Sequence, residues 1–419
     1  MKILLVHNKY QQPGGEDEVF SREAALLRSK GHRVGEFVRR NSDIQERGLF
    51  TSAQLAIRTI WSGETVRDLT KALARENPDV VHLHNTFPLI SPSAYYACRE
   101  CGVPVVQTVH NYRLFCPAAT FFRQGKICED CEKRSLWQSV RHSCYRGSRS
   151  ASAVAAAMLM IHRALNTWRD LVECFIVPAD FVRGKLTEMG IPAQKIRVKP
   201  NFLAVDPGTR MRAGDYALFV GRLSPEKGVA TLVNAWGRVS TNLPLRIIGD
   251  GPLRAKLERI AASYDVRNIR FEGWADHESV IDAIKGARFL FFPSESYETF
   301  GMVAVEAFAC GIPVIASRLG VMAEIVDDHQ TGLHFTPGDP ADLAAKAQWA
   351  FDHPCELSQM GCNARAEYQA RYTAELNYRQ LIEIYRSVVG PTEASHASHF
   401  RSAEGGQDAI QTRPGAQLS

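Results

Sequence analysis

The feature that most constrains the fold of this chain is a strand–helix–strand unit in its second half. Residues 287–293 (ARFLFFP) and 313–317 (PVIAS) are short continuous apolar runs, which is typical of parallel strands that are buried on both faces. The segment between them predicts one short helix, which begins at Thr299 as its N-cap and ends at Gly311. The start of this helix then lies at the carboxyl end of a strand, where open α/β sheets bind anions and nucleotides.

Two glutamates accompany this predicted helix. Glu298 falls in the loop before the helix, and Glu306 falls about two turns inside it. Charged residues on helices usually lie on the surface, but the neighbours of Glu306 are apolar. These neighbours are Val303, Ala304, Val305, Ala307 and Phe308. Because a carboxylate only accepts hydrogen bonds, it suits a pair of sugar hydroxyls, and we interpret the two glutamates as a ligand clamp.

The composition is that of an ordinary globular protein. The chain has 419 residues, of which 45% are apolar and 23% charged, and this length allows two domains of roughly 200 residues each. The net charge of +5 is small for a dedicated nucleic-acid binder, so no nucleic-acid partner is expected. Residues 1–7 (MKILLVH) enter an apolar strand without a signal-peptide pattern, and the most apolar run, 151–161, has about half the length of a membrane span. A cytoplasmic location is therefore expected.

Strands alternate with helical patterns along the chain, which predicts an α/β fold with parallel sheets covered by helices. The clearest strands outside the 287–317 unit are 3–7, 80–84, 104–110, 216–221, 245–249 and 269–273. This repetition predicts two Rossmann-like domains, 1–203 and 204–372, that face a central cleft where substrate binds. Residues 390–419 are rich in Ser, Ala, Gly, Gln and His without periodicity, and they are predicted to form a disordered tail.

Turns at three strand ends carry glycines or cations. Gly14 and Gly15 follow the first strand, in the sequence QQPGGE at 11–16, and their backbone N–H groups can approach a ligand closely. Arg222 and Lys227 follow the strand at 216–221 and supply two cations that suit a diphosphate leaving group. The third turn, after the strand at 245–249, holds Gly249 and Gly251 and is expected to face the same cleft.

His110 closes the predicted strand at 104–110, and a polar group in that place meets a ligand bound at the sheet edge. Each of these residues also has a simpler interpretation. An isolated arginine or lysine is more often a surface cation, and a single histidine is more often a hydrogen-bonded structural residue. Only the combination of these turns with the glutamate pair indicates a site.

An insertion at about 116–150 carries four cysteines, Cys116, Cys128, Cys131 and Cys144. Their spacing, Cys-x11-Cys-x2-Cys-x12-Cys, predicts a structural zinc site in a compartment where thiols stay reduced, and free thiols are the alternative. The insertion is also basic, with Arg134, Arg141, His142, Arg146 and Arg149, and the apolar run 151–161 follows it. This segment either contacts anionic lipid at a membrane surface or forms a solvated face of the protein.

Taken together, the motifs resemble the retaining GT-B glycosyltransferases of family 4, the group related to bacterial sucrose-phosphate synthase and mannosyltransferases. The motifs are Gly221-Arg222 to Lys227-Gly228, Gly249-x-Gly251-Pro252, Glu298-x-Phe300-Gly301 with Glu306, Pro78-Asp79 with His82-x-His84-Asn85, Thr108 to Asn111, and Pro200-Asn201. The resemblance covers about residues 1–388 and points to a bacterial polysaccharide-type subgroup with a cysteine-bearing insertion. It implies a GT-B fold, a nucleotide-diphosphate-sugar donor, and a last helix at 373–389 that crosses back to the first domain.

The resemblance also implies a role for each matching residue. Arg222 and Lys227 would bind the donor diphosphate, with Gly14 and Gly15 under the phosphates. The other donor contacts would come from Gly249, Gly251, Glu298, Phe300, Gly301 and Glu306. Among these, Glu298 would hold hydroxyls of the transferred sugar, backbone N–H groups of Phe300 and Gly301 would lie nearby, and Glu306 would hold the nucleotide ribose. His110 would contact the donor sugar or the reacting centre. No metal or other cofactor is implied for catalysis, because cations and a helix N-terminus replace it.

The expected function is therefore sugar transfer from a nucleotide-diphosphate-sugar donor to a glycan or lipid-linked acceptor, in polysaccharide or glycoconjugate biosynthesis. The implied mechanism retains configuration at the sugar carbon and uses Glu298 to position the sugar rather than as a nucleophile. Two alternatives stay open at this point. One is an enzyme similar to a sugar-nucleotide epimerase on the same fold. The other is a non-enzymatic, zinc-stabilised basic module that binds through the cysteine-bearing insertion.

Overall fold

Two parallel β-sheets organise the chain in a computed structural model, which describes residues 1–11, 14–44, 49–210, 214–240, 243–263 and 268–390, with the side chains of 49–52 left out. The predicted tail lies outside the described residues except for Gly390, and Gln12 and Pro13 of the first glycine turn also lie outside them.

The first sheet contains six of the eight described strands of the first domain. These strands are β1 (Lys2–Lys9), β2 (Arg33–Arg40), β3 (Val80–Asn85), β4 (Val105–Thr108), β5 (Phe122–Arg123), β6 (Lys126–Ile127), β7 (Cys174–Val177) and β8 (Ile196–Val198). The sheet order is β2-β1-β3-β4-β7-β8, and every pair is parallel, whereas β5 and β6 form a separate antiparallel hairpin in the cysteine-bearing insertion.

Helices cover this sheet on both faces. They are α1 (Gly15–Ser29), α2 (Leu49–Ile60), α3 (Gly63–Glu76), α4 (Ser93–Glu100), α5 (Asp130–Lys133), α6 (Trp137–Arg141), α7 (Arg149–Ala164), α8 (Thr167–Leu171) and α9 (Asp180–Glu188). The apolar run 151–161 lies in α7, where Ala155, Ala156, Met158 and Leu159 are buried in the core. This face of the helix therefore packs inside the domain and is not available to a lipid surface.

The second sheet is a doubly wound Rossmann sheet. Its strands are β9 (Tyr216–Val220), β10 (Leu245–Ile248), β11 (Ile269–Gly273), β12 (Ala287–Phe292), β13 (Val314–Ser317) and β14 (Gly332–Phe335). The order is β11-β10-β9-β12-β13-β14 with all pairs parallel, so the winding direction reverses between β9 and β12. The helices of this part are α10 (Val229–Trp236), α11 (Arg254–Ser263), α12 (His277–Gly286), α13 (Met302–Ala309), α14 (Met322–Ile325), α15 (Pro340–Asp352), α16 (Pro354–Arg371) and α17 (Ala374–Val389).

The predicted α/β fold with two Rossmann-like domains is confirmed. The apolar runs of the sequence form the strands because both faces of each sheet are covered, and β12 and β13 bury nearly every side chain. Several helices begin where a short polar side chain caps them, as Ser62 does for α3 and Asp276 for α12.

The last helix, α17, leaves the second domain and packs on the first. Leu381, Ile382, Ile384 and Tyr385 share one buried cluster with Ile3, Leu5, Val80 and Val106 of the first sheet. At the surface, Lys30 Nζ of α1 lies 2.6 Å from Glu375 Oε2. The first strand and the last described helix therefore belong to one core.

The predicted bounds of the helix between the two glutamates need correction. The helix α13 begins at Met302 with Gly301 as its N-cap, not at Thr299, and no side chain caps it. Glu306 consequently lies about one turn inside the helix and not two. The predicted end is right: Gly311 has φ +71°, its N–H bonds the Phe308 carbonyl, and the Ile312 N–H bonds the Ala307 carbonyl.

Candidate functional site

A cavity of about 460 Å³ lies between the two domains at the carboxyl ends of both sheets. On the side of the second domain, its walls include Gly221 and Arg222 directly after β9, and Pro293 and Ser294 directly after β12. These are the two strands between which the winding reverses, and ligands of doubly wound sheets bind at that crevice. On the side of the first domain, the walls come from the loops after β1 and β4 and from the start of α1.

Most of the residues predicted for the site line this cavity. They are Gly14, Gly15, His110, Arg222, Lys227, Glu298, Phe300 and Gly301. Three predicted residues, Gly249, Gly251 and Glu306, are not among the residues that line it. The cavity therefore joins the first glycine turn and His110 of one domain to the two cations and Glu298 of the other.

Lys227 and Glu298 form an ion pair inside the cavity. The Lys227 ammonium donates to Glu298 Oε1 at 2.7 Å, and the Ser294 hydroxyl donates to the same oxygen at 2.5 Å. The Tyr112 hydroxyl of the first domain donates to the Glu298 carbonyl at 2.8 Å, so this loop also joins the two domains. Arg222, in contrast, has no carboxylate partner among the described residues and keeps its charge available to a ligand.

The helix α13 starts at the cavity. Gly301, Met302 and Val303, which form its N-cap and first turn, line the wall. The N-terminal N–H groups of a helix and its dipole favour negative charge. The wall that holds Arg222 and Lys227 is therefore positive both through side chains and through backbone.

Gly249 and Gly251 pack against the backbone of residues 221–223 without lining the cavity. A Cβ atom on Gly249 would lie 2.0 Å from the Gly221 carbonyl oxygen, and one on Gly251 would lie 2.5 Å from that of Leu223. The turn after β10 therefore packs directly against the Gly221–Arg222 turn. Gly249 and Gly251 are not among the residues that line the cavity, and the close approach of neighbouring backbone accounts for glycine at both positions.

Glu306 is buried beside the cavity. Only 5% of the residue is exposed, and its Oε1 lies 3.7 Å from Nδ1 of the exposed His277. Burial raises the pKa of its carboxyl from 4.5 to about 7, with smaller influences from Arg22, which lowers the pKa, and Glu18, which raises it. Burial thus favours the protonated form of this carboxyl, and only its ionised form is a pure hydrogen-bond acceptor.

Glu16 is a cavity residue that the sequence did not single out. It lies in the first turn of α1, one position after Gly15, and accepts hydrogen bonds from the side-chain amides of Asn111 at 3.1 Å and Asn85 at 3.4 Å. The pKa of Glu16 is raised to about 7, and burial is the largest cause of this rise. Its partners come from the ends of β3 and β4, so only the folded sheet brings them together.

His110 lies just beyond the end of β4 and is partly exposed to the cavity. Its Nε2 lies 2.9 Å from Nδ1 of His84 on the neighbouring strand β3. Burial lowers the pKa of His110 well below the usual histidine value, so the ring is neutral at physiological pH.

The four cysteines of the insertion are free thiols in one neighbourhood. The thiol of Cys131 interacts electrostatically with those of Cys116, Cys144 and Cys128, and burial raises its pKa to about 12. The four sulfurs do not form a closed metal site. Among the described residues, the only group of three or more metal-ligand side chains whose donor atoms lie within 4.8 Å of one another is Glu23, His82 and His84.

No helix in the described part of the chain combines the length and apolar character that a bilayer span requires.

Comparison with known proteins identifies both domains. Residues 14–201 match the glycosyl transferase 4-like domain, and residues 212–367 match the glycosyl transferases group 1 family. The chain is similar to the D-rhamnosyltransferase WbpZ of Pseudomonas aeruginosa, with 34% identity over 161 residues, which are 38% of this chain and 42% of WbpZ. The match thus spans less than half of that relative's own length.

Longer matches extend over both domains. The phosphatidyl-myo-inositol mannosyltransferase of Mycobacterium tuberculosis is 26% identical over 362 residues, which cover 81% of this chain and 82% of that enzyme. The solved structure of Anabaena Alr3699/HepE in complex with UDP and glucose superposes with a TM-score of 0.66 at 17% identity, over 92% of this chain and 100% of that one. This likeness shows the fold, and the fold of these neighbours is GT-B. Residues 14–201 and 212–367 together span most of the chain, which therefore contains a glycosyl transferase 4-like domain followed by a glycosyl transferases group 1 domain.

Proposed function

We propose that this protein transfers a sugar from a nucleotide-diphosphate-sugar donor to a glycan or lipid-linked acceptor, in polysaccharide or glycoconjugate biosynthesis. One observation carries the proposal. Two cations and a carboxylate of the second domain, Arg222, Lys227 and Glu298, meet the Gly14–Gly15 turn and His110 of the first domain in one cavity at the winding reversal. The two matched glycosyltransferase domains support the same reaction class.

The donor diphosphate would lie against Arg222, Lys227 and the start of α13. Each charge-assisted hydrogen bond to a phosphate contributes about 1.5–3 kcal/mol. In the free protein Lys227 is paired with Glu298. An incoming diphosphate would compete with Glu298 for the Lys227 ammonium. A Glu298 oxygen would then be available to a hydroxyl of the transferred sugar. The solved complex of HepE with UDP and glucose supports a donor of this chemical type.

The proposed reaction retains the configuration of the sugar. The bond between the sugar carbon and the diphosphate oxygen breaks, and the acceptor hydroxyl bonds to the same face of that carbon. The acceptor proton passes to the departing phosphate oxygen. Arg222, Lys227 and the helix N-terminus stabilise the negative charge on the leaving group, so the proposal requires no divalent metal for catalysis.

The roles proposed for Glu306, Gly249 and Gly251 follow from their places next to the cavity. Glu306 would bind the two ribose hydroxyls, which requires the ionised carboxyl to turn toward the bound nucleotide. The two glycines would support the Gly221–Arg222 turn. These assignments rest on burial and packing, and donor binding by Glu306→Gln tests the first of them.

A peripheral contact with the cytoplasmic membrane surface would suit a lipid-linked acceptor. Trp137 on α6 is 55% exposed, and the insertion that carries it also holds exposed cations: Lys133, Arg134, Arg141, Arg146 and Arg149. A tryptophan with surrounding cations fits an interface of anionic lipids. All ten cysteines are free thiols, which fits a reducing compartment such as the cytoplasm.

The decisive experiment measures nucleoside diphosphate release from uridine, guanosine, adenosine and thymidine diphosphate sugars, with thermal denaturation beside it. A donor at a hundredfold excess over its dissociation constant adds about 2.7 kcal/mol to the free energy of unfolding. Stabilisation by one nucleotide class and acceptor-dependent release are expected. An epimerase would convert the donor sugar without releasing the diphosphate, and a binding module would respond to no donor.

Lys227→Ala tests the diphosphate assignment. Loss of the ammonium should lower kcat/KM by about 10–100-fold, which corresponds to the 1.5–3 kcal/mol of a charge-assisted hydrogen bond. The matched control is Lys256→Ala, at an exposed position of α11. Turnover that survives in Lys227→Ala at the level of the control would refute the assignment.

We further propose that the insertion holds structural zinc through Cys116, Cys128, Cys131 and Cys144. The donor set fits the metal, because four thiolates bind zinc tetrahedrally. The sulfurs must draw closer than in the structure described here to do so. Cys131→Ser should lose one equivalent of zinc, measured by mass spectrometry of the purified protein, and the exposed Cys101→Ser should keep it. Metal-free wild-type protein with four titratable thiols in the insertion would refute this site.

A further inference from the structure

A row of buried polar side chains runs away from the cavity behind His110. His110 Nε2 lies 2.9 Å from His84 Nδ1, and the two rings are inclined by only 16°. On the far side of His84, Nε2 lies 3.5 Å from Glu23 Oε2 of α1. The other oxygen, Glu23 Oε1, accepts from the Lys199 ammonium at 2.6 Å. Glu23, His84 and Lys199 are all buried.

Two atoms of this row have no hydrogen-bond partner. They are His84 Nε2 and Glu23 Oε2, which face each other. Leaving buried polar atoms unpaired is costly, and a carboxylate oxygen can only accept. A proton on His84 Nε2 would make a long, attractive charge-assisted contact with this oxygen, 3.5 Å away. The other tautomer would place two lone pairs face to face in a region of low dielectric.

The proton on His84 Nε2 determines where the next proton lies. Both histidines are neutral, because burial lowers the pKa of each well below its usual value, so each ring carries one N–H. With Nε2 protonated, His84 Nδ1 is bare and accepts. His110 Nε2 must then donate to it, which leaves His110 Nδ1 as a bare acceptor on a ring that lines the cavity.

The same groups also resemble a set of metal ligands, because donor atoms of Glu23, His82 and His84 lie within 4.8 Å of one another. The surrounding contacts argue against that use. Both nitrogens of His82 are occupied, Nδ1 by the Tyr385 hydroxyl and Nε2 by the Thr108 hydroxyl, each at 2.7 Å. Lys199 already balances the charge of Glu23, and its ammonium would repel a metal ion bound to that carboxylate.

We propose that Glu23, acting through His84, fixes the tautomer and orientation of His110, so that His110 accepts a hydrogen bond from a sugar hydroxyl in the cavity. Glu23 and His84 are thus positioning residues, and they select a substrate that offers a donating hydroxyl at that point. The inference about the sugar rests on the proposed function. The inference about the proton positions does not.

The first test is the ¹⁵N NMR spectrum of the full-length protein with labelled histidine, in which protonated and bare ring nitrogens have separate shifts. His110→Gln assigns the His110 signals. The expected result is a bare Nδ1 and a protonated Nε2 in the free wild type. A proton on Nδ1 of His110 would overturn the proposal, whether or not the protein binds a nucleotide sugar.

The second test removes the charge pair as a unit. Glu23→Met with Lys199→Met replaces both ions by apolar side chains of similar length and leaves no unpaired charge. We expect the His110 signals to become those of a tautomer mixture and kcat/KM to fall about 10–100-fold, the range typical for losing an orienting partner of a histidine. His142→Gln, at an exposed position in the insertion, is the control and should change neither. Unchanged His110 signals in the folded double variant would refute the positioning role of Glu23. If the double variant does not fold, the His110 tautomer in the wild-type spectrum decides the proposal.

The third test uses donor analogues in which one sugar hydroxyl is replaced by hydrogen or by fluorine. Fluorine accepts weakly but cannot donate. If His110 accepts, then both replacements at one position should weaken donor binding equally in the wild type, and the effect should vanish in His110→Gln. Tolerance of fluorine but not of hydrogen at the position sensed by His110 would show that His110 donates, which would overturn the assignment.

Discussion

Replacing Glu306 by glutamine should stabilise the free protein at pH 8 and leave it nearly unchanged at pH 4. The carboxyl is 5% exposed, and burial raises its pKa from 4.5 to about 7. Between these two values the folded protein holds a proton that the unfolded chain has released. Folded stability therefore falls as the pH rises through this window, because the protein must ionise a buried group. Glutamine has a similar shape and does not ionise.

The magnitude follows from the size of the pKa change. A rise from 4.5 to about 7 corresponds to about 3 kcal/mol, at roughly 1.4 kcal/mol per pH unit. Side-chain rearrangement and water entry reduce this value, so we expect a gain of about 1–3 kcal/mol at pH 8 and a change near zero at pH 4. Urea unfolding of wild type and variant at pH 4, 5, 6, 7 and 8 measures it. Glu278→Gln, at an exposed position of the nearby α12, is the control and should show no such trend.

The same variant separates stability from function. If Glu306 binds the ribose, Glu306→Gln should lose most of the stabilisation that the correct donor gives to the wild type, although the free variant is the more stable protein. An equal stability difference at pH 4 and pH 8 would refute the account of the buried charge. Donor stabilisation that is undiminished in the variant would refute the ribose assignment instead.

Three further substitutions test the packing and the buried charges. Lys199→Ala leaves Glu23 as an uncompensated buried charge and should lower the free energy of unfolding by about 3–5 kcal/mol, measured by urea titration. A loss below about 1 kcal/mol would contradict the pairing. Gly228→Ala should destabilise by about 2 kcal/mol or more, because its φ is +64° and the new Cβ would lie 1.8 Å from the Pro293 carbonyl oxygen. Gly311 has a similar φ of +71°, but an added Cβ would have no neighbour nearer than 3.6 Å. Gly311→Ala should therefore lower the free energy of unfolding by only about 1 kcal/mol. Equal losses at the two glycines would show that the steric contact at Gly228 is unimportant.

The parts of the fold that the sequence predicted are those determined by local pattern. The runs at 216–221, 269–273 and 287–293 became β9, β11 and β12, because a strand covered on both faces needs continuous apolar residues. The Gly311 stop was predictable for the same kind of reason, since the left-handed conformation favours glycine. Polar residues at the ends of such strands could be assigned to one sheet edge, which located most of the cavity wall.

The start of α13 could not be predicted in this way. Thr299 is a better capping residue than Gly301 by side-chain preference, but the chain from Glu298 to Gly301 is held by other contacts. Tyr112 from the first domain bonds the Glu298 carbonyl, and Lys227 bonds its carboxylate. Tertiary contacts therefore decided the local structure at the point where the two domains meet.

The buried charges were also beyond sequence reasoning. Glu23 and Lys199 are 176 positions apart, and neither belongs to a motif. Glu16 stands beside the first glycine turn, yet its importance depends on Asn85 and Asn111, which arrive from two other strands. The glycines at 249 and 251 were recognised as a turn, but only the structure shows that the backbone of residues 221–223 fills the space where their side chains would be.

The return of α17 to the first sheet has a consequence for synthesis of the protein on the ribosome. Ile3 and Leu5 emerge about 380 residues before Tyr385, which with Leu381 completes their cluster. At about 5–20 residues per second, this apolar surface of the nascent chain waits roughly 20–80 s before it can be covered. During that interval the domain is expected to require chaperone protection, and a nascent chain stalled before residue 373 should be more readily cleaved by protease than one stalled beyond the full helix.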